Sequence, residues 1–122
     1  MPWGVYRIHT VEAWSTNDGS SNGVVEVAIL DTGIDYNHPD LAGNIAWAVS
    51  VVNGRVSENP KDYMDKNGHG THVADIVSAL NNDNGIVGAP NVEVYAVKCL
   101  VDNGNGKVGG YNSWNRRGIA WT

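Results

Sequence analysis

The sequence predicts an α/β fold built on a mostly parallel sheet, and three observations predict it. Val24-Val25-Glu26-Val27-Ala28-Ile29-Leu30 is an almost unbroken run of β-branched and aliphatic residues, the pattern of a strand covered on both faces. Comparable runs recur at Ile45 to Val52 and at Val92 to Leu100. Between those two lies a segment of helical periodicity that begins at His69. Strand runs that do not alternate polar with apolar residues, separated by a helix, argue for a parallel sheet layered with helices.

A length of 122 residues suits one domain. With 42% hydrophobic and 17% charged residues, the composition is that of a folded globular chain. The longest apolar run is too short to cross a bilayer, so no membrane partner is expected. A formal net charge of −5, with no basic cluster beyond Arg116-Arg117, argues against a nucleic-acid surface. The single cysteine, Cys99, excludes an internal disulfide and reads as a small buried hydrophobe on a strand. Met1-Pro2-Trp3-Gly4 lacks the basic and apolar regions of a signal peptide. The chain therefore reads as cytosolic or as already cut from a longer precursor.

In chain order, Pro2 to Trp14 read as one or two short helical turns. Val5, Ile8, Val11 and Trp14 fall on one side at spacings of three, with Thr10 as the N-cap. Asn17 to Gly23 form a Ser/Asn/Gly loop. The first strand ends at Asp31, where Thr32-Gly33 let the chain turn away. His38-Pro39-Asp40-Leu41 is a turn stiffened by its proline, and Asn53 to Asn67 read as polar and irregular.

The helix then sets His69, Val73, Ile76 and Leu80 on one face, which turns Asp75 away from the apolar side. It stops in Asn81-Asn82-Asp83-Asn84-Gly85, whose side chains compete for backbone hydrogen bonds. After the third strand, Asp102 to Gly110 read as a flexible loop without regular structure, and Tyr111 to Thr122 as the start of a helix.

Asp31 and His69 carry the chemistry. In an open parallel sheet, functional groups gather beyond the carboxyl ends of the strands, where helices begin. Asp31 ends a strand and His69 opens a helix, so both side chains are expected on one rim although 38 positions separate them. A carboxylate that accepts from one imidazole nitrogen fixes the tautomer and leaves the other nitrogen free as a general base.

Asp31-Thr32-Gly33 taken alone also matches the active-site triplet of retroviral-type aspartic proteases. Such a subunit is almost all β and has no place for a His-Gly-Thr-His helix.

Ala28-Ile29-Leu30-Asp31-Thr32-Gly33-Ile34-Asp35 with His38-Pro39-Asp40-Leu41, followed by Asn67-Gly68-His69-Gly70-Thr71-His72-Val73-Ala74, resembles the Asp and His signatures of subtilisin-like serine proteases. The similarity runs from Pro2-Trp3-Gly4 to Tyr95-Ala96-Val97-Lys98, in family order and at family-like spacing. It implies an incomplete subtilisin-like three-layer fold and peptide-bond hydrolysis by an Asp-His-Ser triad. Asp31 would be the orienting carboxylate, His69 the general base and His72 a structural residue.

The 122 residues contain no Gly-Thr-Ser-Met-Ala-type segment, and the family's oxyanion asparagine falls beyond Thr122. The resemblance therefore makes residues 1–122 the N-terminal portion of one truncated catalytic domain, expected to be inactive by itself. A non-catalytic binding or assembly module on a degenerate scaffold is the alternative.

The resemblance also implies a structural Ca²⁺ held by Asp40, Asn82 and the carbonyls of Leu80, Asn84 and Ile86, a set of hard oxygen donors. Gly104-Asn105-Gly106 aligns with the edge on which substrate backbone pairs by strand addition. Implied partners are a peptide or protein substrate once the site is completed, the missing C-terminal portion, or a second copy joined through the open sheet edge. Secretion is implied in the same way.

The chain departs from the family pattern at Asp75, where glycine is expected and a carboxylate in tight packing would be costly. Further departures are the short Gly88-Ala89-Pro90, the extra Val108-Gly109-Gly110, and Asn115, Arg116 and Arg117 in the last helix.

Overall fold

The computed structural model describes residues 3–16, 24–79, 88 and 92–122. Helices α1 (Trp3–Arg7) and α2 (Thr10–Thr16) open it. They do not share one apolar face. His9 takes a positive φ of 60° and breaks the phase, so Val5 is buried whereas Ile8 and Val11 are exposed. Thr10 is the first residue of α2, and its hydroxyl donates to the carbonyl of Val5. The predicted loop over 17–23 lies outside the described residues.

The main sheet holds β1 (Val25–Asp31), β2 (Ile45–Ser50) and β3 (Val92–Lys98) in the order β1-β3-β2, all parallel. Neighbouring residues of β3 point to opposite faces, as strand geometry requires. Ala96 joins a core of Ile29, Ile34, Leu41, Ala48, Ala74 and Val94, while Val97 joins Val49, Val51, Cys99 and Trp114 on the other side. Helix α4 (His69–Ser78) covers the first face and α5 (Asn112–Trp121) the second. This is an α/β fold with helices on both faces of a parallel sheet, as the resemblance implied.

Three local expectations need correction. The start of β1 is not covered on both faces: Val25 is exposed, and burial sets in only at Ile29 and Asp31. It flanks the sheet, pairing with β3 alone, and the small residues of α4 and α5 meet its carboxyl end. Residues 53–67 are not irregular throughout, since α3 (Pro60–Tyr63) forms where the Asn59 side chain caps Lys61 N–H and proline starts the turn. Residues 102–110 include a hairpin ladder, β4 (Val101–Asp102) against β5 (Val108–Gly109), with Gly104, Asn105 and Gly106 exposed at its tip.

The inner face of α4 is also different from the expected one. Gly70, Thr71, Ala74, Asp75 and Ser78 are buried, whereas His69 and Ile76 face outward and Val73 is half-buried. Small residues let the helix approach the sheet closely. A Cβ added at Gly70 would stand 2.4 Å from the Gly33 carbonyl oxygen. Leu80, placed on the apolar face from the sequence, is outside the described residues.

Candidate active site

Asp31 is held by its main chain before its side chain does anything. At the end of β1 its carbonyl accepts from the N–H groups of both Cys99 and Leu100, at 3.0 and 3.1 Å. Thr32 N–H donates to Asp31 Oδ1 at 2.7 Å, which fixes the carboxylate plane. Gly33 follows with φ of 115° and no room for a Cβ beside the Tyr63 carbonyl, so the turn demands glycine. Ile34 then pairs with Met64, and this brings Asp65 against the turn.

His69 is placed by Asp65. The Asp65 carboxylate accepts from the hydroxyls of Thr32 and Thr71 and from the N–H groups of Asn67, Gly68 and Thr71, at 2.6 to 3.0 Å. Burial raises its pKa, but these donors outweigh that and lower it to about 2. Three of the donors are amides of the approach or first turn of α4, so the carboxylate meets the unpaired amides and positive end of that helix. Thr32 and Thr71 extend the mesh, accepting from Gly70 N–H and Asp35 N–H respectively.

Asp65 escaped the sequence reading because the stretch around it looked irregular. The signal was an Asp four residues ahead of the helix, in an Asp-Lys-Asn-Gly run typical of side-chain-stabilised turns.

Between these anchors, His69 Nδ1 lies 2.8 Å from Asp31 Oδ1 and 2.9 Å from Oδ2. An ionised carboxylate only accepts, so Nδ1 carries the proton and Nε2 of the neutral ring is free. The His69 side chain is 62% exposed and that of Asp31 only 12%, so the ring edge faces solvent above a buried carboxylate. Hydrogen bonding to Asp31, then the Asp31 charge, raises the His69 pKa above the ordinary 6.5, with slight desolvation opposing.

The sign follows. The ionic contribution of the pair to stability is complete below pH 6.5 and is lost as pH rises through the folded value. The free base, by contrast, is lost as pH falls through that value. We expect nitrogen-resolved NMR titration to give a His69 midpoint above 6.5 that drops in Asp31→Asn; equal midpoints in the two proteins would contradict this.

The hairpin tip is tied to the same corner. Asn67 Oδ1 accepts from His69 N–H at 3.2 Å, and its amide donates to Asp102 Oδ2 at 2.7 Å. This hydrogen bond, then that from Gly104 N–H, lowers the pKa of Asp102. Gly104, Asn105 and Gly106 thus sit on a solvent-facing loop joined to the helix start through one asparagine. Lys98, opposite Asp31 in the sheet, is buried and donates from Nζ to the Met64 carbonyl at 2.7 Å, and burial lowers its pKa. Burial, then the Asp31 charge, pushes the Cys99 thiol up to about 11, so it is not a nucleophile at neutral pH.

Of the implied calcium ligands, Asp40 is buried in the turn after β1, and Leu80, Asn82, Asn84 and Ile86 are outside the described residues. The frame around that segment is visible. Gly88 N–H donates to the Ala79 carbonyl, and the Asn44 amide donates to the Ser78 carbonyl, so the chain leaves and re-enters beside the turn that carries Asp40. Among the described residues Asp40 alone represents the implied ligand set, and a buried carboxylate is the type of donor a hard cation takes.

Asp75 is not solvated. It is 9% exposed, burial raises its pKa, and His38 stands beside it.

Residues 21–122 match the model of the Subtilase family, Peptidase S8. The chain is 45% identical over 122 residues to "Alkaline protease" of Alkalihalobacillus alcalophilus, covering 99% of this chain and 28% of that protein. It is 44% identical to "Subtilisin Savinase" of Lederbergia lenta, covering 99% and 40% of the two chains. To "Subtilisin E" of Bacillus subtilis (strain 168) it is 41% identical, with 99% and 29% covered. The chain thus spans well under half the length of these relatives. With the carboxylate-imidazole pair seated at the strand end and helix start, and with this match over most of its residues, the chain belongs to the subtilase family.

Proposed function

We propose that these residues supply the carboxylate and the general base of a serine endopeptidase, and that the chain by itself does not hydrolyse peptides. The observation that supports this is His69 Nδ1 lying within 2.9 Å of both Asp31 oxygens while the ring edge remains open to solvent. In that arrangement Nε2 takes the proton of an attacking serine hydroxyl, and Asp31 stabilises the imidazolium that forms. The serine and the oxyanion amide are absent from the 122 residues, so nothing is available to be activated.

Substrate backbone would lie along Gly104-Asn105-Gly106, a reading supported by the hydrogen bonds from the Asn67 amide to Asp102 and from His69 N–H to Asn67. Ca²⁺ would be bound by Asp40, Asn82 and the carbonyls of Leu80, Asn84 and Ile86; it would contribute by fastening the 80–87 segment to the turn. Secretion belongs to the same reading.

The 122-residue chain should give no turnover of a chromogenic peptide anilide. Joined to the serine-bearing part of a relative such as Subtilisin Savinase, it should become active and lose that activity in His69→Ala. Hydrolysis by the chain alone, blocked by a serine-directed phosphonate, would overturn the claim of inactivity. Hydrolysis by the joined protein that survives His69→Ala would overturn the role of the base.

A second reading, a non-catalytic assembly module, draws on Val25 and Trp47, about half exposed on the flanking strands of the sheet, and on Val24 just before β1, exposed to a similar degree. Exposed apolar edge strands invite pairing with the serine-bearing part of such a protease or with a second copy.

A further inference from the structure

His38 and Asp75 make a pair unlike that of His69 and Asp31. The second pair closes to 2.8 Å, a hydrogen bond. The first stands at 3.6 Å between Nδ1 and Oδ1, and both atoms are buried without a hydrogen-bond partner among the described residues. A histidine and a carboxylate free to pair would close that gap, because leaving either atom unsatisfied is costly. Asp40 adds a carboxylate, and one donor atom from each of the three residues lies within 4.8 Å of the other two.

We propose that His38, Asp40 and Asp75 form a binding site for a late first-row divalent cation of the Zn²⁺ class. Two ligand atoms on one tetrahedral ion, with bonds of about 2.0–2.1 Å, are about 3.4 Å apart, close to the separation of His38 Nδ1 and Asp75 Oδ1. Imidazole with carboxylates suits zinc, cobalt or nickel, whereas calcium prefers oxygen donors alone. Asp75 is nine-tenths buried and points its unpartnered oxygen at the ring, which holds the site in place. The His38 side chain is 33% exposed, leaving an entry path and room for a water as fourth ligand. Where a calcium ion is bound as well, Asp40 would be shared between the two cations. The site depends on Asp75, a departure from the family pattern, and does not depend on the proteolytic reading.

The test titrates the chelator-treated 122-residue chain with Zn²⁺ by calorimetry. One site is expected, weakened at least tenfold in Asp75→Asn and in His38→Gln and unchanged in His72→Gln and His9→Gln. A readout that needs no variant is the imidazole nitrogen spectrum, in which Zn²⁺ should shift His38 Nδ1 first. The proposal fails if no Zn²⁺ binds, if Asp75→Asn and His38→Gln bind as tightly as the parent, if the nitrogens of His69 or His72 shift instead, or if an equal concentration of Ca²⁺ displaces the ion.

Discussion

Asp31→Asn, in an active protein carrying these residues, is expected to lower kcat by about four orders of magnitude, the size of effect known for this exchange in Asp-His-Ser hydrolases, with KM nearly unchanged. The substitution keeps the shape. Thr32 N–H can still donate to an amide oxygen, and the main-chain hydrogen bonds from Cys99 and Leu100 to the residue 31 carbonyl are untouched. What changes is the proton on the ring. At present both carboxylate oxygens accept from His69 Nδ1. An asparagine amide nitrogen turned toward the ring donates to it, favouring the tautomer with the proton on Nε2, and that nitrogen can no longer act as a base. Steady-state kinetics on the joined protein, with folding followed by circular dichroism, checks this. A loss of less than tenfold would mean that the carboxylate does not orient the base.

Asp65→Ala is expected to destabilise the chain by about 2–3 kcal/mol, measured by urea denaturation. It removes the acceptor for five donors, and hydrogen bonds to a charged group are each worth about 1.5–3 kcal/mol, but they are not additive, and water can replace the carboxylate at this partly open site. The pH dependence has a definite sign. The carboxyl is lowered from 3.8 to about 2 in the folded chain, so its contribution is complete above pH 4 and is lost as pH falls toward 2. The parent should therefore lose stability over that acid range more steeply than Asp65→Ala. The same variant should loosen His69, because Asn67 and Gly68 approach the helix through this carboxylate. Identical acid unfolding profiles for the two proteins would rule out Asp65 as the anchor.

The interior side of α4 shows what small residues accomplish here. Gly70, Thr71, Ala74 and Ser78 let the helix sit against the turn after β1, and that contact brings His69 within hydrogen-bonding distance of Asp31. The larger apolar residues Val73 and Ile76 do not set that approach, and Ile76 faces outward. Periodicity of large hydrophobic residues therefore misassigned the buried face. At a helix packed this closely, size selects the inner residues more strongly than hydrophobicity does. Asp75 lies on that inner face, which is why it is buried beside His38.

The class of fold, the three parallel strands, the helix from His69, the buried cysteine and the two residues at the strand end and helix start were all legible in the order of the amino acids. Each of these rests on local pattern or on a short motif: continuous β-branched runs, helical spacing, and chemistry-bearing residues at element boundaries. The order of the strands, the solvent-facing start of β1, the hairpin that presents Gly104 to Gly106 and the inner side of α4 emerge only in the folded chain, through its three-dimensional structure. It alone brought Asp65 under the helix start and set His38 and Asp75 face to face across 37 positions. The physical reason is common to these cases. They depend on how closely two elements approach, which is set by small side chains and by donors and acceptors far apart in sequence, and no periodicity within a single segment records that distance.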